Sequence, residues 1–215
     1  PFLQYQGHAA GALAFGRLFM ANFTLTGVTG IFSHRVLTVL PVVILHYYLW
    51  KRLRDQGQAQ FCRVYLHAAA FLAFVLMRFE LGRVLAVAGW SLFALLLLAL
   101  GIRYRLADLR WQSYLMVIAA FIRSWNTNFY VPESFGGWPS RVLTGTVMIA
   151  CFYASELLCP RRSPDNSARA RIMFSLLATL LLAVLLYYEV SGALLTVAWG
   201  MEGVALMVAG FSLRE

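Results

Sequence analysis

Seven ionisable side chains stand out by their positions: Arg17, Arg35, Glu80, Arg123, Arg141, Glu189 and Glu202 all lie inside or at the edges of long apolar stretches. A charge there loses hydration that hydrocarbon cannot replace, so it must pair, snorkel or face water. The first six form two sets, each with two arginines and one glutamate, and Asn22 or Asn128 accompanies each set. Arg17 and Arg123 fall six residues inside a helix end, roughly 9 Å at the helical rise. Arg35 and Arg141 open the next apolar stretch, and Glu80 and Glu189 close the one after it. With alternating helix directions, all six reach the same membrane face. Two chemistries fit this pattern. One is an Arg–Glu clamp between helices, with Asn22 and Asn128 capping helix ends. The other is a site for an anionic lipid head group or a phosphate on the outer face. Glu202 follows Trp199 by three residues near mid-stretch. At that depth it is protonated, paired with a basic side chain or facing water, and both a functional carboxylate and a neutral acid bonded to a neighbouring helix fit. Gly200 and Gly203 on the same helix allow close helix approach.

The usual catalytic patterns are absent: HExxH, GxSxG, GxxxxGK[ST] and paired aspartates do not occur. No catalytic residue, metal ligand or cofactor is predicted. Glu80, Glu133 and Glu189 are acids on the outer face of the kind glycosidic chemistry uses, but nothing further distinguishes them. Cys62, Cys151 and Cys159 form no CxxC and read as small core side chains. His8, His34, His46 and His67 show no ligand spacing and read as helix-packing or interfacial residues.

The elements that must position these residues are apolar helices. The 215 residues are 61% hydrophobic and 13% charged, against about 25% charged in a soluble domain. Leu92–Leu100 is unbroken, and only Ser175 and Thr179 interrupt 172–188. Spans are predicted at about 6–23, 36–50, 61–78, 84–102, 112–125, 142–158, 170–187 and 193–211. The stretches 36–50 and 112–125 are short and need polar helical turns to extend them. Pro41 inside the second is tolerated better in a bilayer than in water.

The net charge is +9, and 17 of the 18 basic residues are arginine. They sit between apolar runs without aromatic interleaving, which excludes the nucleic-acid reading and matches a topology signal. Twelve fall on one side: Lys51, Arg52, Arg54, Arg63, Arg103, Arg105, Arg110, Arg161, Arg162, Arg169, Arg171 and Arg214. Four fall on the other: Arg35, Arg78, Arg83 and Arg141. The positive-inside rule makes the first side, and both termini, cytoplasmic. The outer loop 126–140 carries Phe129, Tyr130, Phe135 and Trp138, which suit the membrane interface. Pro1 at the start, with no basic segment before a cleavage site, and Arg214-Glu215 directly after a span predict a piece of a longer protein.

Self-comparison reveals a repeat. At a shift of 106, Gln6, Phe15, Arg17, Asn22, Phe23, Gly30 and Arg35-Val-Leu-Thr38 meet Gln112, Phe121, Arg123, Asn128, Phe129, Gly136 and Arg141-Val-Leu-Thr144. At a shift of 109, Glu80, Trp90, Gly101 and Arg105 meet Glu189, Trp199, Gly210 and Arg214. Four helices per unit is an even number, so both copies keep one orientation. The segment 188–214, with Ala198-Trp199-x-x-Glu202-Gly203, a small-residue face, Gly210 and Arg214, resembles the signature span of a family of large bacterial polytopic membrane proteins, domain of unknown function twenty-three thirty-nine. The first copy departs from it, with Phe93-Ala94 in place of Glu-Gly. The resemblance implies further spans beyond eight and no particular activity.

The sequence therefore predicts an all-α, polytopic transmembrane bundle of about eight spans. It is organised as two parallel four-helix repeats, residues 1–106 and 107–215. The predicted role is a non-enzymatic scaffold or assembly component of the bacterial cell envelope, in the inner membrane. The alternative is a transporter, or a lipid- or glycan-handling protein using the outer Arg/Glu site. The predicted partners are membrane lipids and either other proteins or further spans of the same chain.

Overall fold

The computed structural model describes residues 2–24, 27–29, 32–130, 134–135, 137–159 and 167–213. Arg161, Arg162, Arg214, Glu133, Gly30 and Gly136 lie outside these. Among the described residues the chain forms eight α-helices: α1 (Phe2–Met20), α2 (His34–Asp55), α3 (Ala59–Glu80), α4 (Gly82–Arg103), α5 (Ala107–Asn126), α6 (Ser140–Leu158), α7 (Ser167–Glu189) and α8 (Ala193–Leu213). A 3-10 turn follows α1 at Asn22–Thr24 and another follows α5 at Asn128–Tyr130. Each leads into a two-residue antiparallel hairpin. The first joins β1 (Val28–Thr29) to β2 (Phe32–Ser33), and the second joins β3 (Ser134–Phe135) to β4 (Trp138–Pro139). The element order of α1–α4 thus recurs in α5–α8.

Five helical segments are long and apolar enough to cross a membrane among the described residues: His34–Asp55, Phe61–Glu80, Gly82–Arg103, Ser140–Leu158 and Ala168–Glu189. The sequence reading counted eight. The helices α1 and α5 fall short in composition, since α1 carries Gln4, Gln6, His8 and Arg17 and α5 carries Asp108, Arg110, Gln112 and Arg123. In α8 the apolar stretch among the described residues is Ala193–Val208. The two short predicted spans belong to longer helices. Helix α2 runs through Lys51-Arg52-Leu53-Arg54 to Asp55, and α5 starts at Ala107, five residues before its apolar stretch. Once a helix is nucleated, each added residue gains a backbone bond whatever its polarity. The charges also complement the helix dipole, with Arg52 and Arg54 in a last turn and Asp108 in a first turn.

The chain divides into two compact units, residues 1–86 and 87–215. This boundary lies in the first turns of α4, whereas the sequence repeat divides the chain after 106. In the first unit α2 and α3 pack as a pair. Ser33 caps α2 by accepting from Val36 N at 3.1 Å. Gly57, at φ +74°, turns the chain between the two helices. Val39, Val43 and His46 of α2 are buried, as are Leu66, Ala69, Ala70 and Ala73 of α3. Alanines at this spacing let helices approach closely without the hydrophobic drive that water would supply.

In the second unit α6 and α7 form the equivalent pair. Met148, Phe152 and Ser155 are buried on α6, with Phe174, Ala178, Leu181 and Leu185 on α7. Tyr153 and Thr179 share a hydrogen bond of 3.1 Å, and Arg171 pairs with Glu156 at 3.7 Å. Helix α4 buries a stripe of Val87, Trp90, Ser91, Ala94, Leu97 and Leu98. At its end a β-carbon on Gly101 would come within 3.0 Å of Arg110 N, so only glycine lets the start of α5 fold back this closely.

Much of the rest is apolar and uncovered. Only 22% of the apolar stretch of α2 and 28% of that of α7 is buried within the structure. Leu13, Ile44, Leu115 and Leu176 are each more than half exposed. Bare apolar surface on this scale suits lipid rather than water. The packing makes a contrast that thermal unfolding in bicelles will read. Phe152→Ala, which empties a fully buried site, should cost about 3 kcal/mol. Leu176→Ala, on the open face of α7, should stay within about 0.5 kcal/mol. Equal losses would mean that the buried and lipid-facing sides of α6–α7 are wrongly assigned.

Candidate functional site

In each unit one predicted arginine lies against the helix end that carries a predicted glutamate: Arg35 over Phe79, next to Glu80, and Arg141 over Tyr188, next to Glu189. In the second unit the chain leaves α5 through Thr127, whose Oγ1 donates to Arg123 O at 2.7 Å and closes the helix end. Threonine, not Asn128, is therefore the cap. Asn128 is buried in the 3-10 turn, and its Nδ2 donates to Thr144 Oγ1 on α6. Thr144 in turn donates to Ser140 O at 2.8 Å. The asparagine expected to cap a helix instead braces the turn against the next helix.

Phe129, the next residue, stacks on Tyr188 near the end of α7, with ring centroids 5.4 Å apart and planes at 10°. Tyr130 meets the same ring edge-on at 6.2 Å. Arg141, in the first turn of α6, lies over Tyr188 with Cζ 5.7 Å from the ring centroid. Its Nε donates to Glu189 Oε1 at 2.5 Å, and its Nη2 donates to Tyr188 O at 3.3 Å. One guanidinium thus serves a ring, a carboxylate and a carbonyl. This is the Arg–Glu contact expected between α6 and α7, and its planar fork is what allows three contacts at once.

The first unit repeats the aromatic part. Phe23 of the 3-10 turn stacks on Phe79 near the end of α3, at 5.4 Å and 28°. Arg35, in the first turn of α2, lies over Phe79 at 5.3 Å. The carboxylate contact differs. Among the described residues no ion pair joins Glu80 to Arg17 or Arg35, contrary to the expectation. Glu80 Oε1 and Arg35 Nε are both buried without a hydrogen-bond partner. Arg17 itself is exposed on α1.

Arg123 finds a ring of its own. It lies over Trp90 of α4, with Cζ 5.3 Å from the centroid. Trp199 holds the corresponding place on α8, where its Nε1 donates to Ala183 O of α7 at 3.1 Å. Trp199 nevertheless remains 45% exposed, against 4% for Trp90. Glu202 is half-buried one turn further on, with Oε1 lacking a hydrogen-bond partner.

Sequence reasoning identified the charged residues and missed the rings that receive them. Phe79, Tyr188 and Trp90 sit in a chain that is 15% aromatic, so one ring among many gave no signal. The pairing of Phe79 with Tyr188 at the 109-residue shift was the available clue. A second missed cluster lies in the first unit. His8 Nδ1 and Tyr65 Oη are 2.6 Å apart, His8 stacks on Phe61 at 4.4 Å, and His46 lies 5.4 Å from the Tyr65 ring. These histidines bridge helices, as helix-packing residues do.

The three cysteines are buried and form no disulfide. Cys159 lies just past the end of α6, where burial pushes its thiol up and outweighs the nearby Arg171 and Arg110. That makes it a poor nucleophile. Among the described residues no group of three or more His, Cys, Asp or Glu side chains is placed to hold a metal ion. Comparison with family models, with curated proteins and with solved structures finds no match.

The two units differ in a way that thermodynamic cycles will resolve. Arg141→Met, Glu189→Gln and the double variant should give a coupling of about 1 kcal/mol in thermal or denaturant stability, since the pair is in contact. The same cycle on Arg35 and Glu80 should be additive within about 0.3 kcal/mol. Additivity in the first cycle would remove the Arg141–Glu189 strut.

Proposed function

We propose that the chain is an integral membrane protein of the bacterial inner membrane, and that it works as a non-enzymatic scaffold or assembly component of the cell envelope. In this reading all eight helices span, as two parallel four-helix repeats, and both ends of the segment are cytoplasmic. Five helices long and apolar enough to cross a membrane support the membrane setting. The duplication is supported by local structure that recurs 106 residues on: 3-10 turns start at Asn22 and Asn128, strands at Val28 and Ser134, and helices at His34 and Ser140. The likeness of 188–214 to domain of unknown function twenty-three thirty-nine is consistent with this setting. Its partners are lipids around the bundle and either other proteins or further spans.

The observation that carries the scaffold reading is the use of the arginines. Arg35, Arg123 and Arg141 each lie over a ring of a different helix within their own unit. A guanidinium held in this way is a strut, with its charge engaged by the protein rather than offered to a ligand. One observation favours the alternative, a transporter or lipid-handling protein. Arg35 Nε is buried with no hydrogen-bond partner, which leaves a donor open to an anionic head-group or phosphate oxygen, and Glu80 Oε1 beside it is an acceptor open to a cationic or hydroxyl part of a head group.

A deletion strain complemented from the chromosome separates the two readings. The Arg35→Met, Glu80→Gln double variant should restore envelope integrity to the wild-type level, because it removes both buried charges together, breaks no ion pair and leaves an apolar stem beside Phe79. If the variant reaches normal levels in the membrane yet fails to complement, the pair is a binding site and the alternative holds.

A further inference from the structure

The stripe that α4 buries has an uncovered equivalent on α8. Val87, Trp90, Ser91, Ala94 and Leu98 are buried on α4. At the 109-residue shift they correspond to Thr196, Trp199, Gly200, Gly203 and Met207, and all five are exposed. Nothing lies within 4 Å of where a β-carbon on Gly200 or Gly203 would stand. Small residues without neighbours do not make a site by themselves. Two further observations say what fits here. On α4 the corresponding tryptophan, Trp90, receives Arg123 of α5 at 5.3 Å. On α8 the surface adds a carboxylate absent from α4, since Glu202 replaces Phe93 and its Oε1 lacks a hydrogen-bond partner. The face therefore has a ring placed to accept a guanidinium and an acid placed to neutralise it.

The chain also carries the complementary piece. Arg17 corresponds to Arg123 at the 106-residue shift, and α1 corresponds to α5. Arg17 is exposed, and among the described residues it lies over no ring and pairs with no carboxylate. We propose that the α8 face around Trp199 and Glu202 receives α1 of a second copy of this chain, with Arg17 of the incoming helix over the Trp199 ring and paired with Glu202. The contact repeats between chains the α4–α5 arrangement already present within one. Residue 17 lies near the C-terminal end of α1 and residue 199 near the N-terminal end of α8. Two copies with the same membrane orientation therefore bring them to the same depth when the helices run antiparallel. Glu202 stands about one turn, roughly 4.5 Å, beyond Trp199, within the span of one arginine side chain. Donor and acceptor are different surfaces, so each copy gives α1 and receives on α8, either reciprocally in a pair or onward through a ring or a row. The inference rests on the duplicated-unit reading above. A topology map that puts the C-terminal ends of α1 and α5 on opposite membrane faces would remove that reading without reference to association.

Charge exchange tests the inference. Purified protein is reconstituted at low density in vesicles of anionic and zwitterionic phospholipid, and association is read from single-molecule photobleaching steps. Wild-type protein is expected to show spots of two or more copies. Arg17→Glu alone and Glu202→Arg alone should each reduce associated spots about tenfold, since repulsion replaces attraction at a desolvated pair. An equimolar mixture of the two variants should recover association, because each restores an opposite-charge contact to the other. Circular dichroism and a monodisperse elution profile establish that each variant is folded. A monomeric wild type overturns the proposal and leaves the face to lipid or another helix. So does association unchanged in both single variants, or a loss that the mixture does not recover.

Discussion

A guanidinium held over an aromatic ring near a helix end is the contact on which the arrangement depends. An arginine at membrane depth is costly, and an isolated one must reach back to water. Here the ring supplies part of what hydration would have given, because its face carries the negative end of a quadrupole. Arg35 over Phe79, Arg123 over Trp90 and Arg141 over Tyr188 all obey this constraint. Each joins a helix to its neighbour in sequence: α2 to α3, α5 to α4 and α6 to α7. Two of the rings also fix something else. Phe79 and Tyr188 receive the phenylalanine of a 3-10 turn on the same ring. The turn, the short hairpin after it and the start of the next helix are therefore held together with the arginine. Remove the ring, and the charge, the turn and the helix start lose one shared support.

This constraint explains how far the sequence could be read. The arginines, asparagines, glutamates and tryptophans were visible because polar or rare residues in an apolar chain seldom align by chance. Phe79 and Tyr188 were not, since aromatic residues are common here and serve lipid and protein alike. Asn128 was found but misassigned. Sequence rules make asparagine a cap, while the structure gives the cap to Thr127 and sends the Asn128 amide to Thr144. The Glu80 pairing expected from the repeat was also not met, although the same residue types occur in both units. Residue type and register bring a carboxylate near an arginine. Whether they touch depends on the side-chain conformations chosen around the ring, which spacing does not encode.

Helix extent shows a similar limit. Hydropathy finds the lipid-facing length of a helix, whereas the helix continues until a cap or a turn stops it. Helices α2 and α5 therefore extend into charged turns at 51–55 and 107–111. The polar faces of α1 and α5 keep both out of the set of strongly apolar helices, yet α5 buries Gln112, Ser113 and Ser124. Ser113 Oγ and Ser124 Oγ find no hydrogen-bond partner there, so this polar face is covered by protein without being matched by it. The apolar helices α2 and α7, with little of their surface covered, suit the lipid boundary.

The most direct test of the central contact is the interaction energy between Arg123 and Trp90. Reversible unfolding in bicelles is measured for wild type, Arg123→Met, Trp90→Leu and the double variant. A desolvated guanidinium over an indole face should give a coupling of about 1–2 kcal/mol. Each single change should cost more than its share of the double. A coupling indistinguishable from zero, with both single variants folded, would contradict the account, since the arginine would then owe its place to something other than the ring.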